Sequence, residues 1–256
     1  MRAIAVDLTA GTIKDGWGNT DTVSGIESVI GTGKADSFIG SAGNDQFLGG
    51  DGADTYDGKG EKNTVNFSWP PAETGAVVNL ALQSGQVLND GFGNVETLVN
   101  IQRIDGNELN DNFQGNGLAN ELIGDLGNDT LNGKGGNDFL QGDAGQDILT
   151  GGGGADEFHY EKREGHDPWG DTITDFTSGS DHISFYVPDF AGQGMDATLR
   201  FANATHAAGP GSSFYFNSAN HGLFWDADGT GSGAAVLVAT LNNVNALQAS
   251  DFELFT

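Results

Sequence analysis

Along two stretches of the chain a large apolar residue recurs at every ninth position, set among glycine, asparagine and aspartate. The first stretch places Phe38, Phe47 and Tyr56 in this phase; the second places Phe113, Leu122, Leu131, Leu140, Leu149 and Phe158. Glycine opens each unit, at Gly31, Gly40 and Gly49 and again at Gly106, Gly115, Gly124, Gly133, Gly142 and Gly151. Six residues rich in Gly, Asn and Asp make a turn, because they tolerate positive φ and bond their own backbone. The next three make a short strand whose eighth-place apolar side chain points inward. Two units close one coil, so units eighteen residues apart stack, with strands about 4.8 Å apart.

An aspartate or asparagine stands at the sixth place of each unit. Stacking turns these residues into ladders: Asp111, Asp129 and Asp147 in one, and Asn120, Asp138 and Asp156 in the other. In the first run Asp36 pairs with Asp54, and Asp45 pairs with Asn63 of the degenerate unit that follows. Oxygen ligands at about 2.4 Å on each side let a Ca²⁺ span the gap between rungs. Asparagine keeps an oxygen but loses the charge, so sites that include Asn63 and Asn120 are expected to be weaker. The pattern G-G-x-G-x-D-x-U-x is the mark of a calcium-binding parallel β-helix. A solvated linker is the plain alternative for Gly- and Asp-rich sequence. Such a linker has no reason to keep apolar residues in phase with aspartate over nine units, although without metal the runs are expected to be disordered.

On these units the chain resembles the RTX (repeats-in-toxin) family of secreted bacterial proteins. The resemblance implies an all-β fold: a right-handed parallel β-roll in two segments, closed by a C-terminal β-rich cap. It also implies that turn-glycine carbonyls act as further ligands beside the carboxylates. Carried over residue by residue, these are Gly31, Gly40, Gly49, Gly124, Gly127, Gly133, Gly142, Gly145 and Gly151. About four interior calcium sites are expected in the second run and one or two in the first, with the weak affinity typical of extracellular modules, about 10⁻⁴ to 10⁻³ M.

Charge agrees with this picture. The 256 residues carry 36 acidic against 10 basic side chains, a formal charge of −26. So many neighbouring carboxylates require cations, and the field makes nucleic acid and anionic membrane surfaces poor partners. Cysteine is absent, so calcium takes the place of a cross-link. No apolar segment approaches the length of a membrane span, and the N-terminus MRAIAVDLTAG has no apolar run suited to a signal peptide. Family resemblance implies export by a type I secretion apparatus that reads an uncleaved C-terminal signal. The tail ASDFELFT, with Phe252, Leu254 and Phe255 alternating after an acidic residue, looks like such signals.

A longer repeat aligns Asp15–Gly40 with Asp90–Gly115 without gaps, putting Trp17 and Phe92 at one place in a DG-aromatic-GN turn. These aromatics are candidate sugar-stacking platforms, although covering the end of a core is the commoner role. The adjacent Pro70 and Pro71 argue that the first roll ends there. Four parts are expected: residues 1–66 as the first roll module, 67–105 as a strand-rich insert, 106–159 as the second roll, and 160–256 as cap and secretion signal. DTITDFTSGSDHISF (171–185) resembles the segment after the last coil in serralysin-type C-terminal domains, which makes Asp171, Asp175 and Asp181 candidates for further metal ligation. Asp226 and Asp228 begin like an EF-hand loop, but the twelfth place is Leu237 and not glutamate, so a hairpin turn is the better reading.

No catalytic constellation stands out. The zinc-protease H-E-x-x-H is missing, and His159, His166, His182, His206 and His221 have no ligand spacing. There is no G-x-S-x-G elbow around Gly179. The Asp167-Pro168 pair resembles a labile bond in some self-processing RTX proteins but reads more simply as a turn. The expected function is therefore that of a non-enzymatic, secreted calcium-binding module that folds on export, as the C-terminal part of a larger exoprotein or as a small secreted protein of this kind. The alternative is a module binding extracellular polysaccharide, as in alginate epimerases or rhizobial adhesins. It would need a row of aromatic or basic residues, and Lys and Arg are few. An ice-binding ladder needs one repeated Thr position, whereas the second places run Thr32, Ser41, Gly50, Asn107, Asn116, Asp125, Lys134, Asp143, Gly152.

Overall fold

The computed structural model describes residues 2–68, 71–161, 167, 169–190, 200–207, 209 and 211–256. Pro70, His166 and Pro168 lie outside them. Short strands carry nearly all the regular structure. At the N-terminus, β1 (Ala5–Asp7), β2 (Thr12–Lys14) and β3 (Thr20–Thr22) form an antiparallel meander. The first run supplies β4 (Ser28–Ile30), β5 (Ser37–Ile39), β6 (Gln46–Leu48), β7 (Thr55–Asp57) and β8 (Thr64–Asn66). Next come β9 (Val77–Asn79), β10 (Val87–Asn89), β11 (Thr97–Val99) and β12 (Arg103–Asp105). The second run supplies β13 (Asn112–Gln114), β14 (Glu121–Ile123), β15 (Thr130–Asn132), β16 (Phe139–Gln141), β17 (Ile148–Thr150) and β18 (Glu157–Tyr160). The cap contains β19 (Asp171–Ile173), β20 (His182–Tyr186), one helical turn α1 (Val187–Phe190), β21 (Phe201–Asn203), β22 (Ser213–Asn217), β23 (Gly222–Asp226), β24 (Val236–Leu241) and β25 (Phe252–Phe255).

Within both runs the strands pair in parallel at an offset of eighteen, as Ser37 with Thr55, Asn112 with Thr130, and Glu121 with Phe139. Every eighth-place residue named above is buried. They share one apolar column with cap residues such as Phe185 and Phe214. The chain is an all-β parallel roll.

One wall crosses the interval between the runs without a break. Its nine strands run β25-β20-β18-β16-β14-β12-β8-β6-β4, with β12 bridging the runs by pairing with β8 on one side and β14 on the other. Arg103 on β12 and Lys62 ahead of β8 both bind the Glu121 carboxylate on β14, an ion triad across the same joint. The opposite wall is split. β11 stacks on β7, β9 pairs with β13, and the β9–β10 hairpin lies between them, touching the β11 side through a bridge from Val87 to Glu96. Residues 67–105, expected as an insert between rolls, thus supply one further coil (β11 and β12) plus a wedge in one wall.

The cap extends both walls. β19 continues one ladder and hands it to β24, while β20 and β25 continue the other. The D-A-D-G-T-G segment turns between antiparallel β23 and β24. Aromatic packing seals this end, with ring centroids 4.7 Å apart for both Phe185–Phe214 and Phe214–Trp225. Apolar burial here replaces the turn ligands of the runs.

Candidate metal centre

Along each ladder, a sixth-place oxygen accepts the main-chain N–H of the sixth-place residue one coil below. The N–H of Asp36 donates to Asp54 Oδ1 at 2.6 Å, and that of Asp45 to Asn63 Oδ1 at 2.9 Å. In the second run the N–H of Asp111 donates to Asp129 Oδ1, and that of Asp129 to Asp147 Oδ1, each at 2.8 Å. The partner ladder repeats this from Asn120 to Asp138 at 2.8 Å and from Asp138 to Asp156 at 2.9 Å. Asp171 and Asp181 extend the ladders into the cap, accepting the N–H groups of Asp147 at 3.0 Å and Asp156 at 3.1 Å. Asp175 stands aside and caps a turn, accepting from the N–H groups of Gly151 and Gly152. Asp226 and Asp228 accept N–H groups of their own hairpin turn.

The second carboxylate oxygen divides the turns into two classes. In the units opening at Gly31, Gly40 and Gly106 it accepts the second-place N–H, from Thr32, Ser41 and Asn107 respectively. In the unit opening at Gly115 the Asn120 amide oxygen does the same for Asn116. These turns are closed. In the other turns the second place has positive φ, as at Gly50 (87°), Asp125 (79°), Lys134 (75°), Asp143 (64°) and Gly152 (102°), so its N–H no longer reaches the carboxylate. Asp129 Oδ2 and Asp138 Oδ2 are then buried without any hydrogen-bond partner. Leaving such an oxygen unpaired costs roughly 1–3 kcal/mol or more, which a cation would remove.

The free oxygens face a lined cradle. A Cβ at Gly124 would overlap Asp129 Oδ2 and lie 2.7 Å from the Gly142 carbonyl oxygen; one at Gly133 would overlap Asp138 Oδ2 and lie 2.7 Å from the Gly151 carbonyl oxygen. In the first run Gly31 faces the Gly49 carbonyl in the same way, and Gly40 faces that of Gly58. Carboxylate and main-chain carbonyl oxygens therefore converge where a side chain is missing. Among the described residues no three Asp, Glu, His or Cys side chains come together as a metal-holding group. An all-oxygen set completed by carbonyls and water suits Ca²⁺.

Burial raises these carboxyls far above the ordinary range. It is the leading cause for Asp129, pushed up to about 8, for Asp111 and Asp54, up to about 7, and for Asp138 and Asp147, up to about 6. Neighbouring carboxylates add to it, Asp147 and Asp111 beside Asp129 and Asp156 beside Asp138. Asp171 is driven well above the normal range, by burial and then by Asp147.

The family model described as "RTX calcium-binding nonapeptide repeat (4 copies)" matches residues 21–56, 30–65, 105–140 and 123–158. These runs are RTX calcium-binding nonapeptide repeats. The RTX match starts one unit earlier than Gly31, taking in β4 with the buried Val29 at the eighth place. No curated protein matches the sequence. Among solved structures, the AlgE6R3 subunit of the Azotobacter vinelandii mannuronan C5-epimerase aligns at 24% identity and a TM-score of 0.40, over 57% of this chain and 78% of that one. The AlgE6R2 subunit of the same enzyme aligns at 23% identity and a TM-score of 0.36, over 57% of this chain and 88% of that one. The extracellular lipase LipA of Serratia marcescens aligns at 18% identity and a TM-score of 0.36, over 91% of this chain but 40% of its own length.

Two ladder members escaped the nine-residue beat. Thr97 pairs with Thr55, so Glu96 stands over Asp54, and the N–H of Asn63 donates to Gln102 Oε1 at 3.0 Å. The signal was present: residues 91–99, GFGNVETLV, have Gly first, Glu sixth and Leu eighth. The unit is out of phase with its neighbours because the following turn to β12 is short.

Fourth-place glycines of the RTX turns pack on the main chain one coil below. Gly136 has φ 114°, and a Cβ there would lie 2.6 Å from the Leu118 carbonyl oxygen; around Gly153, at the third place, there is open space. Gly136→Ala should therefore destabilise the calcium-loaded protein by more than about 2 kcal/mol, since positive φ alone costs an L-residue roughly 1–2 kcal/mol. Gly153→Ala should stay within about 0.5 kcal/mol. Thermal melts at fixed calcium distinguish them, and equal melting points would remove the packing argument.

Proposed function

We propose that the chain is a non-catalytic, secreted module that leaves the cell unfolded through a type I secretion apparatus and folds outside when Ca²⁺ fills its turns. The observation that carries this is the pair of buried, unpartnered oxygens of Asp129 and Asp138 in cradles lined by glycine carbonyls. Such sites are costly without a cation and favourable with one, so binding and folding are one equilibrium. Where calcium is submicromolar the chain stays threadable, and where it is millimolar it folds. Among the described residues no helix is long and apolar enough to cross a membrane.

The tail fits this order of events. Folded, Phe252 is buried on β25 against β20, and Asp251 ahead of it accepts hydrogen bonds from the Ser178 hydroxyl and the Gly179 N–H. An export signal at 249–256 would be readable only before the cap forms. Co-expression with a type I exporter tests it: the intact chain should reach the medium, and a variant lacking 249–256 should stay in the cell. Equal export of both would overturn the assignment of the tail. Calorimetric titration of the intact chain should count several calcium ions, and a count of zero or one would overturn the calcium module itself.

A further inference from the structure

We propose a further calcium site where the inserted hairpin meets the first run, held by Asp54 and Glu96 with the Tyr56 hydroxyl between them. It rests on the calcium reading above but lies outside the matched repeats on the Glu96 side. Glu96 is 2% exposed and Asp54 1% exposed. The Tyr56 hydroxyl sits 3.3 Å from Asp54 Oδ2 and 3.4 Å from Glu96 Oε1, while Glu96 Oε2 is buried with no hydrogen-bond partner.

The surroundings offer that oxygen no side-chain partner. Asp90, also buried, has its carboxylate taken up by the N–H groups of Phe92 and Asn94 and the Asn94 side-chain amide. Its charge adds to that of the pair without relieving it. No cationic side chain forms an ion pair with Asp54 or Glu96 among the described residues, and the Asn94 amide goes to Asp90 and to Asp51 at 2.9 Å. The turn below is of the open class, with positive φ at Gly50 and Gly52. A Cβ at Gly49 would collide with Asp54 Oδ2 and with the Tyr56 hydroxyl, which stands where the second-run cradles have a glycine carbonyl. Two buried carboxylates and a neutral hydroxyl form a hard, all-oxygen donor set that water can complete. Glutamate is one methylene longer than aspartate, which lets residue 96 reach down from the hairpin side to the rung of Asp54. An ion there fastens the turn before β11 to the turn before β7, beside the split in the opposite wall where Val87 of the hairpin bridges to Glu96.

Terbium(III) emission reads this site, since a phenol beside the ion sensitises it. In the full chain, Glu96→Gln should lower the bound calcium count by one ion equivalent and lose the emission excited through Tyr56. Tyr56→Phe, which keeps the ring stacked 5.1 Å from Phe38, should keep the count and lose the same emission. Emission surviving in both belongs to Tyr160, which lies beside Asp171 and Asp147. An unchanged count and emission in Glu96→Gln would overturn this site while leaving the repeat sites standing. If the unaltered chain binds no ion at all, both readings fall.

Discussion

Stripped of divalent cations at neutral pH, the chain should lose the β signal of its rolls and regain it cooperatively as calcium rises into the millimolar range. Each coil buries little more than one large side chain per nine residues, too little to offset the entropy of ordering glycine-rich turns. Buried, unpaired carboxylate oxygens add a further penalty. Circular dichroism in chelator and along a calcium titration measures the transition. Asp138→Ala should raise the calcium midpoint by about tenfold or more, the scale of losing a charged ligand worth roughly 1.5–3 kcal/mol. Asp36→Ala should move it less, because both Asp36 oxygens are already occupied by the N–H groups of Ile4 and Thr32. Retention of the full β signal in excess chelator would mean that calcium decorates a roll that stands without it.

Without metal, stability should depend on pH in the direction opposite to that of most carboxylate-rich proteins. Asp129 rises to about 8, Asp111 and Asp54 to about 7, and Glu96 to about 9, by burial first and then by the charges of Asp54 and Asp90. Unfolded, these groups titrate near 4. Between about pH 4 and pH 9 the folded chain therefore holds more protons than the unfolded one, so stability falls as pH rises through that window. Self-repulsion from the formal charge of −26 acts in the same sense. Metal-free samples should therefore keep more of their β signal at pH 5 than at pH 8. Calcium has to displace the same protons, so its affinity should climb over the same interval. A metal-free β signal that grows from pH 5 to pH 8 would contradict the burial of these groups. Calorimetry in buffers of different ionisation heat would count the protons released per ion bound.

Much of the centre was legible because a nine-residue period leaves little freedom. Once Phe113, Leu122, Leu131 and their counterparts must point inward, two units per coil place Asp129 above Asp111 and Asp138 above Asn120, and the observed register keeps those ladders. Phase is what makes this readable, and loss of phase hides it. Glu96 and Gln102 sit on the same ladders but follow a hairpin and a shortened turn, so counting by nines passes over them. The cap is legible only in outline, because its core is built from rings such as Phe185, Phe214 and Trp225 that meet from distant segments.

The sequence by itself determined the coil, the inward apolar column and the rows of carboxylates, since these follow from local turn chemistry and the spacing of like residues. Only the tertiary structure decided that one nine-stranded wall carries both runs while the β9–β10 hairpin wedges the other, because strand partners at 77 and 112 or 64 and 103 obey no fixed offset. It also decided which turns are open. Ser41 and Lys134 share the second place of their units, yet the Ser41 N–H closes on Asp45 while Lys134, at φ 75°, leaves Asp138 free. That difference depends on the turns stacked above and below, and it is what separates a carboxylate satisfied by its own backbone from one that calls for a cation.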